Sequence, residues 1–310
     1  MKGKWIILAG LAGVACGAVS TTLRKKKTSP VWLGRGRDWP AGFAHRGASA
    51  LAPENTVEAF RQAVEAGAGA LELDVHMTRD GEIVVIHDPT VDRTTDGSGL
   101  VGAMLLSDIR KLDAGYRFSP DGTSYPYRGR GLTIPTLAEV FREFPEAVMN
   151  FEIKERQAGI EEAVLREVSA SGAGGRVLVA AEKHDVMRRF RKVSGGKIPT
   201  AASRFEIGVF YFLSRLRLAW LSRPAYDALQ VPVSHKGMEI ATRRFMDAAH
   251  SLGVRVDVWT IDDPAEMRRL LDFGADGIMS NRPDLLARVL GERWDQAATT
   301  SAAEITPNSA

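Results

Sequence analysis

Residues 70–76 read ALELDVH, a short apolar run that carries acidic side chains at alternate positions. Because successive side chains of a β-strand point to opposite faces, Glu72 and Asp74 share one face, and the apolar residues between and beside them share the other. One face can therefore pack under helices while the other holds ionisable groups. In α/β barrels, reactive groups stand near the carboxyl ends of the parallel strands. The run therefore predicts a strand that carries part of a reactive site.

Short strand-like runs alternate with helical patterns on both sides of this stretch. Strands are predicted at 42–45, 70–76, 147–153, 177–181, 198–201, 228–231, 255–260 and 277–279, and helices around 54–66, 136–144, 159–171, 183–193, 206–221, 239–251, 263–273 and 283–290. Eight strands and eight helices are the count for a closed (β/α)8 TIM barrel. An open doubly wound sheet has similar content, and periodicity alone does not separate the two. We predict the α/β fold of the barrel type.

The composition indicates a globular body with a large core. The chain has 310 residues, of which 45% are hydrophobic and 25% are charged. These values exclude a disordered, collagen-like or multi-span membrane chain, and the length is close to the ~250 residues of one barrel. Cys16 is the one cysteine, which excludes an intramolecular disulfide framework and a zinc site built from cysteines.

The basic charge of the chain is concentrated at its N-terminus. Residues 1–27 hold six lysines and arginines and no acid, and the remainder has 35 basic against 38 acidic side chains. The basic balance therefore does not indicate a nucleic-acid surface, and we predict no nucleic-acid partner.

The apolar stretch near the N-terminus predicts membrane association. Residues 5–23 contain no charge, and a segment of this length can just cross a bilayer. The basic run Arg24–Lys27 follows directly, which favours a retained single anchor with the catalytic domain on the cytoplasmic side. Two alternatives stay open. One is a secretory signal cleaved after small residues near Ala18-Val19-Ser20, which would export the protein, and the other is a packed N-terminal helix.

The predicted barrel domain spans residues 41–293, and segments at both ends are expected to lie outside it. After the basic N-terminal segment 1–27, residues 28–40 form a linker rich in Pro, Gly and Arg. Residues 294–310 have no apolar period and are predicted to be a disordered tail. Within the domain, the irregular stretch from about 88 to 135 is too long for an ordinary loop. We predict a small insertion after the second strand region, near the active face.

Three carboxylates on inward strand faces point to a cation site. The run Asn150–Lys154 places Glu152 and Lys154 on one face, as residues 70–76 do with Glu72 and Asp74. Three buried carboxylates cannot remain ionised together without a compensating charge. Oxygen-only ligation favours a hard ion, Mg²⁺ or Ca²⁺ with Mn²⁺ as a further candidate, over zinc. The alternative is a buried ion network in which these acids pair with Arg46 and Lys154.

Two histidines follow apolar strand-like runs and are candidates for proton transfer. His45 is followed by Arg46 and Gly47, and His87 follows a run at 83–86. Either histidine alone could simply be hydrogen-bonded. Two of them beside a cation site suggest a general acid and a general base, with Arg46 as an anion clamp. By spacing alone, His76 shares the face of the carboxylates and could be a further ligand.

Two aromatic features leave a choice between packing and substrate contact. Trp259 ends the seventh predicted strand and either packs in the core or forms a wall against the apolar part of a substrate. Residues 207–221 include Phe210, Phe212 and Trp220 beside two arginines. This segment is either a packed barrel helix or an interfacial or lid element that contacts lipid.

At these residues the sequence resembles the glycerophosphodiester phosphodiesterase family. The likeness covers residues 41–290 and rests on His45-Arg46-Gly47, Pro53-Glu54-Asn55-Thr56, Glu72-Leu73-Asp74-Val75, Thr78-Arg79-Asp80-Gly81, His87-Asp88, Arg93-Thr94-Thr95, Glu152-Ile153-Lys154, Trp259-Thr260, Gly274-Ala275-Asp276-Gly277 and Asn281-Arg282-Pro283-Asp284. Asp262 departs from the pattern, because many relatives have asparagine there.

The resemblance implies specific roles for these positions. It implies a TIM barrel with one divalent cation held by Glu72, Asp74 and Glu152. His45 and His87 would be the acid/base pair, and Arg46 and Lys154 would contact the phosphate. It also implies that His76 is a neighbour of the site and not a ligand.

The activity that the resemblance implies is metal-dependent hydrolysis of glycerophosphodiesters to an alcohol and glycerol 3-phosphate. The alternative is a lysophospholipase D that releases lysophosphatidic acid from lysophospholipids, with the membrane contacted through residues 5–23 and through 207–221. A non-catalytic, membrane-tethered binding protein is a third hypothesis, and the intact set of acid/base, metal and phosphate residues argues against it.

Overall fold

The computed structural model describes residues 42–305, and for residues 295–305 it describes the backbone alone. The predicted N-terminal segment 1–27 and the linker 28–40 lie outside the described residues. Among the described residues, no helix combines the length and the hydropathy needed to span a bilayer.

A ring of parallel strands forms the centre of the molecule. The described residues form these strands: β1 (Gly42–His45), β2 (Ala70–Met77), β3 (Ile83–Val85), β4 (Met149–Ile153), β5 (Val177–Ala180), β6 (Ala228–Pro232), β7 (Ser234–His235), β8 (Met238–Glu239), β9 (Arg255–Trp259) and β10 (Gly277–Ser280). Seven of them belong to the ring and pair in parallel in the order β5-β4-β2-β1-β10-β9-β6. β3 pairs antiparallel with β2, and β7 with β8 forms a separate hairpin.

The eighth place in the ring is filled by two isolated bridges. Thr200 bridges Val179 of β5, and Ala201 bridges Ala228 of β6, both in parallel. The strand predicted at 198–201 is therefore reduced to these bridges. Pro199 explains the reduction, because it has no N–H to donate and contributes its carbonyl oxygen alone, to Val179 N at 3.0 Å. The bridges close the ring, which confirms the predicted (β/α)8 barrel.

Helices follow the barrel strands as the sequence predicts. They are α1 (Val57–Glu65), α2 (Leu106–Ile109), α3 (Leu137–Glu143), α4 (Ile160–Ala170), α5 (His184–Val193), α6 (Arg204–Arg215), α7 (Arg243–His250), α8 (Pro264–Phe273) and α9 (Pro283–Ile305). Capping boxes begin α3 at Thr136 with Glu139, and α6 at Ser203 with Glu206.

The C-terminal helix corrects one expectation. Residues 294–310 were predicted to be a disordered tail, but α9 continues through Ile305. The stretch 295–305 is rich in alanine, which has the highest helix propensity, so a helix can form there without an apolar face. Residues 306–310 lie outside the described part of the chain.

The region after β3 forms a small insertion with its own apolar core. Its buried members include Val91, Val101, Ile109 and Ala114, which pack together with Val84 of β3. This core holds the chain between β3 and α3 against the carboxyl end of β2. The arrangement confirms the insertion predicted after the second strand region.

Candidate active site

Three neighbouring strands bring the predicted site residues to one end of the barrel. In the parallel register, His45 of β1 pairs with Glu72 of β2, and Asp74 of β2 pairs with Glu152 of β4. Because parallel strands share their direction, the polar groups at their carboxyl ends meet at one face. The antiparallel pairing of β2 with β3 then returns the chain, so that His87 reaches the same face.

His45 is held by an asparagine from the opposite end of the domain sequence. Its Nδ1 lies 2.7 Å from Oδ1 of Asn281, which also accepts a hydrogen bond from the Ser49 hydroxyl at 2.8 Å. The amide nitrogen of Asn281 donates to Oδ2 of Asp262 at 2.7 Å. Burial lowers the pKa of His45, and the hydrogen bond to Asn281 opposes that shift only in part. The neutral imidazole is therefore favoured, with Nδ1 as the donor and Nε2 as the basic atom.

His87 has a charged partner in place of a neutral one. Its Nδ1 lies 2.6 Å from Oδ1 of Asp88, and Arg93 donates through Nε to Oδ2 of the same carboxylate at 2.6 Å. Burial alone would raise the pKa of Asp88, but the hydrogen bonds from Arg93 and His87 outweigh it and lower that pKa to about 2. Asp88 is therefore ionised, so His87 has a negatively charged neighbour at Nδ1.

Arg46 connects the two histidine regions through a shared acid. Its Nη1 donates to Glu54 Oε1 at 2.9 Å, and Glu54 also receives two hydrogen bonds of 2.7 Å from Arg93. The backbone N–H of Arg46 donates to Glu72 Oε2 at 2.9 Å. Arg46 adopts the left-handed conformation, with φ of 56°. The next residue must be glycine, because a Cβ on Gly47 would stand 2.7 Å from the backbone carbon of Ala59.

The carboxylates form an ion-pair network around Lys154. Its Nζ lies 2.9 Å from Asp74 Oδ1 and 2.6 Å from Glu152 Oε2. Burial would raise the pKa of Asp74, but the charges of Lys154 and Arg46 outweigh it and lower that pKa. Burial and the neighbouring Asp74 charge raise the pKa of Glu72 well above its ordinary value. The buried ion network that the sequence left as an alternative is thus present. Lys154 pairs with Asp74 and Glu152, and the negative charge of Glu72 is only weakly compensated.

The donor set suits a hard cation in its chemistry, although three ligands are not gathered. Among the described side chains, no three histidine, cysteine, aspartate or glutamate groups stand together as a metal site. Glu152 is turned towards Lys154. Glu72 and Asp74 nevertheless offer only oxygen atoms, and burial together with the neighbouring Asp74 charge raises the pKa of Glu72. A divalent cation would compensate the charged form of Glu72, so the residues fit such an ion.

A cavity of about 510 Å³ opens above these groups. Every residue predicted for catalysis, phosphate contact or metal binding lines it: His45, Arg46, Glu72, Asp74, His87, Glu152, Lys154 and Trp259. Asn150 and Gln230 add two amides, joined by a hydrogen bond of 3.0 Å. The opposite wall is largely apolar and is made by Ile207, Tyr211, Phe212, Met238 and Ile240. The cavity therefore combines a charged floor with an apolar wall.

His76 lies outside the cavity lining. It is buried, its Nε2 lies 3.0 Å from the carbonyl oxygen of His87, and its Nδ1 lies 3.2 Å from Glu155. These contacts make it a support for the His87 segment.

Asn281, Asp88, Glu54 and Arg93 were not assigned roles from the sequence, although all four lie in the motifs quoted above. A sequence signal was available for two of them. Asn281 follows the strand predicted at 277–279, directly after Ser280, and Asp88 directly follows the site residue His87.

The aromatic segment 207–221 divides between core and surface. Helix α6 begins at Arg204 and ends at Arg215, and a 3₁₀ turn follows at Ala219–Leu221. Phe210 is fully buried and packs edge-on against Phe245, with 5.2 Å between ring centroids. Of the two alternatives left open for this segment, core packing is the one that applies to Phe210, because its side chain faces α7. Phe212 and Trp220 are exposed.

Comparisons with known proteins agree on one family. The model of the glycerophosphoryl diester phosphodiesterase family matches residues 45–285. A glycerophosphodiester phosphodiesterase of Caldanaerobacter subterraneus subsp. tengcongensis is 34% identical over 255 residues, which cover 80% of this chain and 96% of the relative. One of Bacillus subtilis is 30% identical over 256 residues, which cover 79% and 85%.

Solved structures show the same likeness. The glycerophosphoryl diester phosphodiesterase domain of a Mycobacterium tuberculosis protein matches with a TM-score of 0.71 at 23% identity, covering 80% of this chain and 98% of that domain. A phosphodiesterase of Oleispira antarctica, solved with the product sn-glycerol 3-phosphate, matches with a TM-score of 0.64 at 25% identity, covering 80% and 96%.

Proposed function

This chain belongs to the glycerophosphoryl diester phosphodiesterase family, and from that premise we propose that it hydrolyses glycerophosphodiesters to an alcohol and glycerol 3-phosphate. The family indicated by the sequence motifs is confirmed. The product bound by the Oleispira antarctica relative supports this substrate class. The alignments span 96% and 85% of the two curated relatives named above, so the comparison concerns most of each relative's length.

The observation that carries the proposal is the difference between the two histidine environments at one cavity. Burial favours the uncharged form of His45, and Asn281 is a neutral partner for Nδ1 that leaves Nε2 free. Asp88 is ionised and lies 2.6 Å from Nδ1 of His87. Two histidines at one cavity, one with a neutral amide partner and one with an ionised carboxylate partner, suit the division into base and acid that acid/base catalysis requires. We assign His45 as the general base and His87 as the general acid.

The proposed step balances in protons and bonds. Nε2 of His45 accepts the proton of the attacking hydroxyl while the new bond to phosphorus forms. The bond from phosphorus to the alcohol oxygen breaks, and His87 gives its proton to that oxygen. The attacker is either water or the neighbouring glycerol hydroxyl. In the second case a cyclic phosphate forms first, and water then opens it.

Arg46 and Lys154 are the candidates for holding the phosphate. Both cations line the cavity, and both are fixed by acids, Arg46 by Glu54 and Lys154 by Asp74 and Glu152. Fixed cations need little reorganisation as charge develops on the phosphate oxygens, which stabilises the transition state. Trp259 lines the same cavity and can contact the apolar part of a substrate.

A divalent cation is part of the proposal, with Glu72, Asp74 and Glu152 as its ligands. Such an ion, Mg²⁺ or Ca²⁺ with Mn²⁺ as a further candidate, would neutralise phosphate oxygens when bound. The Lys154 ammonium competes with it for Asp74 and Glu152. Cation binding and the Lys154 ion pairs are therefore expected to be linked.

A second candidate function is lysophospholipase D activity, which the apolar cavity wall favours. Cleavage of lysophosphatidylcholine breaks the same bond between phosphorus and the head-group oxygen, so the catalytic groups need not change. The substrate differs by an acyl chain on the glycerol, and Ile207, Tyr211 and Phe212 offer an apolar surface for it.

A direct comparison of substrates tests the proposal. The purified chain is given glycerophosphocholine and, separately, lysophosphatidylcholine with a divalent cation present. Release of choline and glycerol 3-phosphate from the first supports the principal function. Release of lysophosphatidic acid from the second alone would assign the lysophospholipase D activity instead. Absence of turnover on both would contradict the proposal.

A further inference from the structure

Helix α6 carries an apolar stripe that faces solvent. Phe205, Val209, Phe212 and Leu216 recur at helical spacing and therefore lie along one face. The side chains of Phe205, Phe212 and Leu216 are 58%, 61% and 62% exposed. Single exposed apolar residues are ordinary, but a contiguous row of large ones is characteristic of an interaction site.

The exposed apolar surface continues beyond the end of the helix. In the 3₁₀ turn Ala219–Leu221, Trp220 is 70% exposed and Leu221 is also exposed. Tryptophan is enriched where a protein meets the headgroup level of a bilayer, because its ring is apolar and its N–H is polar.

Exposed arginines surround this surface. They are Arg215, Arg217, Arg223 and Arg244, and among the described residues none of them is part of an ion pair. A shallow groove of about 570 Å³ beside Trp220 is lined by arginines 217, 243 and 244, with Asp247 as its one acid. The surface therefore presents positive charge next to apolar side chains.

The stripe adjoins the entrance of the catalytic cavity. Phe212 belongs to the stripe and also lines the cavity. Ile207 and Tyr211, on the adjacent face of α6, line the cavity but are not part of the stripe. Whatever covers the stripe will lie beside the cavity opening.

We propose that the α6 stripe and the Trp220 turn dock on the surface of an anionic phospholipid membrane. Exposed arginines complement lipid phosphates and anionic headgroups, while the aromatic and leucine side chains enter the interface. A second copy of the chain suits the surface less well. A two-fold contact places the same patch on both subunits together, which brings the unpaired arginines against each other.

The test uses the full chain with an environment-sensitive fluorophore at position 216. Cys16 is replaced by serine, Leu216→Cys is labelled, and the protein is added to vesicles that contain a spin-labelled quencher lipid. The vesicles are phosphatidylcholine alone or phosphatidylcholine with phosphatidylglycerol. Val64→Cys is the matched control, because Val64 is an exposed apolar residue on α1, which follows β1 on the other side of the ring. Quenching reports whether the labelled position itself meets the lipid, so the readout stays informative even when another segment holds the protein on the vesicle.

We expect quenching of the label at 216, but not at 64, on vesicles with phosphatidylglycerol. The charge reversals Arg215→Glu, Arg217→Glu and Arg223→Glu together should abolish it without lowering the melting temperature. No quenching on vesicles that carry the protein would overturn the proposal, and equal quenching on neutral vesicles would overturn its anionic part.

Measurements without vesicles address the other occupants of the stripe. A fluorescence shift that grows with protein concentration would assign the stripe to a second copy. The fluorescence shift could instead be independent of protein concentration and disappear in a variant that lacks residues 5–23. That result would assign the stripe to the chain's own N-terminal segment. Either result would replace the membrane as the partner.

Discussion

The side-chain oxygen of Asn281 lies 2.7 Å from Nδ1 of His45. The orientation of this amide is fixed, because its nitrogen donates to the Asp262 carboxylate at 2.7 Å and its oxygen accepts from Ser49. An oxygen in that place can only accept, so Nδ1 of His45 carries the hydrogen and Nε2 is left basic. Asn281, oriented by Asp262, thus sets the tautomer of His45, the proposed general base. Neither Asn281 nor Asp262 needs to touch the substrate to do so.

Removing this support should slow catalysis more than it weakens binding. Asn281→Ala leaves His45 free to change tautomer and orientation, and we expect kcat to fall by about tenfold or more, since positioned acid/base catalysis contributes about 10²-fold to 10⁴-fold. Asp262→Ala should act in the same direction and more weakly. Because both residues act through His45, the double variant should be no slower than Asn281→Ala.

The control for that experiment is a histidine outside the cavity, His250, which is also held by a side-chain partner. His250 and Asp276 are 2.7 Å apart and do not line the cavity. Asp276→Asn should change the melting temperature while leaving kcat unaltered. Additive losses in the double variant of Asn281 and Asp262 would contradict the positioning role.

The two histidine variants should each lose a different limb of the pH–rate profile. His45→Ala and His87→Ala are both expected to reduce kcat by about 10²-fold or more. A base works when deprotonated, so its titration shapes the acidic limb, and that limb should flatten in His45→Ala. An acid works when protonated, so the alkaline limb should flatten in His87→Ala. The opposite pattern would exchange the roles, and unchanged rates in either variant would remove that histidine from the mechanism.

The cation prediction depends on the compensation of Glu72. Glu72→Gln should weaken binding of Mg²⁺ or Ca²⁺ and nearly abolish turnover, while the melting temperature stays constant or rises. The physical reason is that burial and Asp74 raise the pKa of Glu72, so its charged form opposes folding in the absence of an ion. Calorimetric titration with the metal alone and activity after chelation check the two parts. Full turnover after chelation would exclude the cation.

The sequence predicted the barrel, and it predicted which site side chains share a strand face, because that signal is local. Alternation places Glu72 and Asp74 on one face of their strand, and Glu152 and Lys154 on one face of another, whatever the rest of the chain does. The partner of His45 could not be found in this way, because Asn281 is 236 positions away and meets it only when β10 pairs with β1. Similarly, spacing left open whether Lys154 or an ion compensates the acids, since that depends on the side-chain conformation of Lys154.

The N-terminal segment gives a prediction that does not rest on the described structure. Residues 5–23 form a charge-free run long enough to cross a bilayer, so the full chain should stay in the membrane fraction after a high-salt wash. The basic run that follows should keep the catalytic domain on the cytoplasmic side. Protease protection reports the side. An intact chain in the washed supernatant would exclude the anchor, and a mature N-terminus near Thr21 would indicate a cleaved signal.

The apolar cavity wall should matter only for substrates with an acyl chain. Met238 of the β7–β8 hairpin lines this wall and lies outside the α6 stripe, so Met238→Ser separates cavity contact from membrane docking. Loss of contact with one or two methylenes corresponds to roughly 1.4 kcal/mol, or about tenfold in kcat/KM for a monomeric lysophospholipid. Glycerophosphocholine has no acyl chain, so its kcat/KM should not change. Leu100→Ser, at another exposed apolar site outside the cavity, should affect neither substrate. Equal losses on both substrates would mean that Met238 supports the fold, and the wall would then carry no preference for lipid.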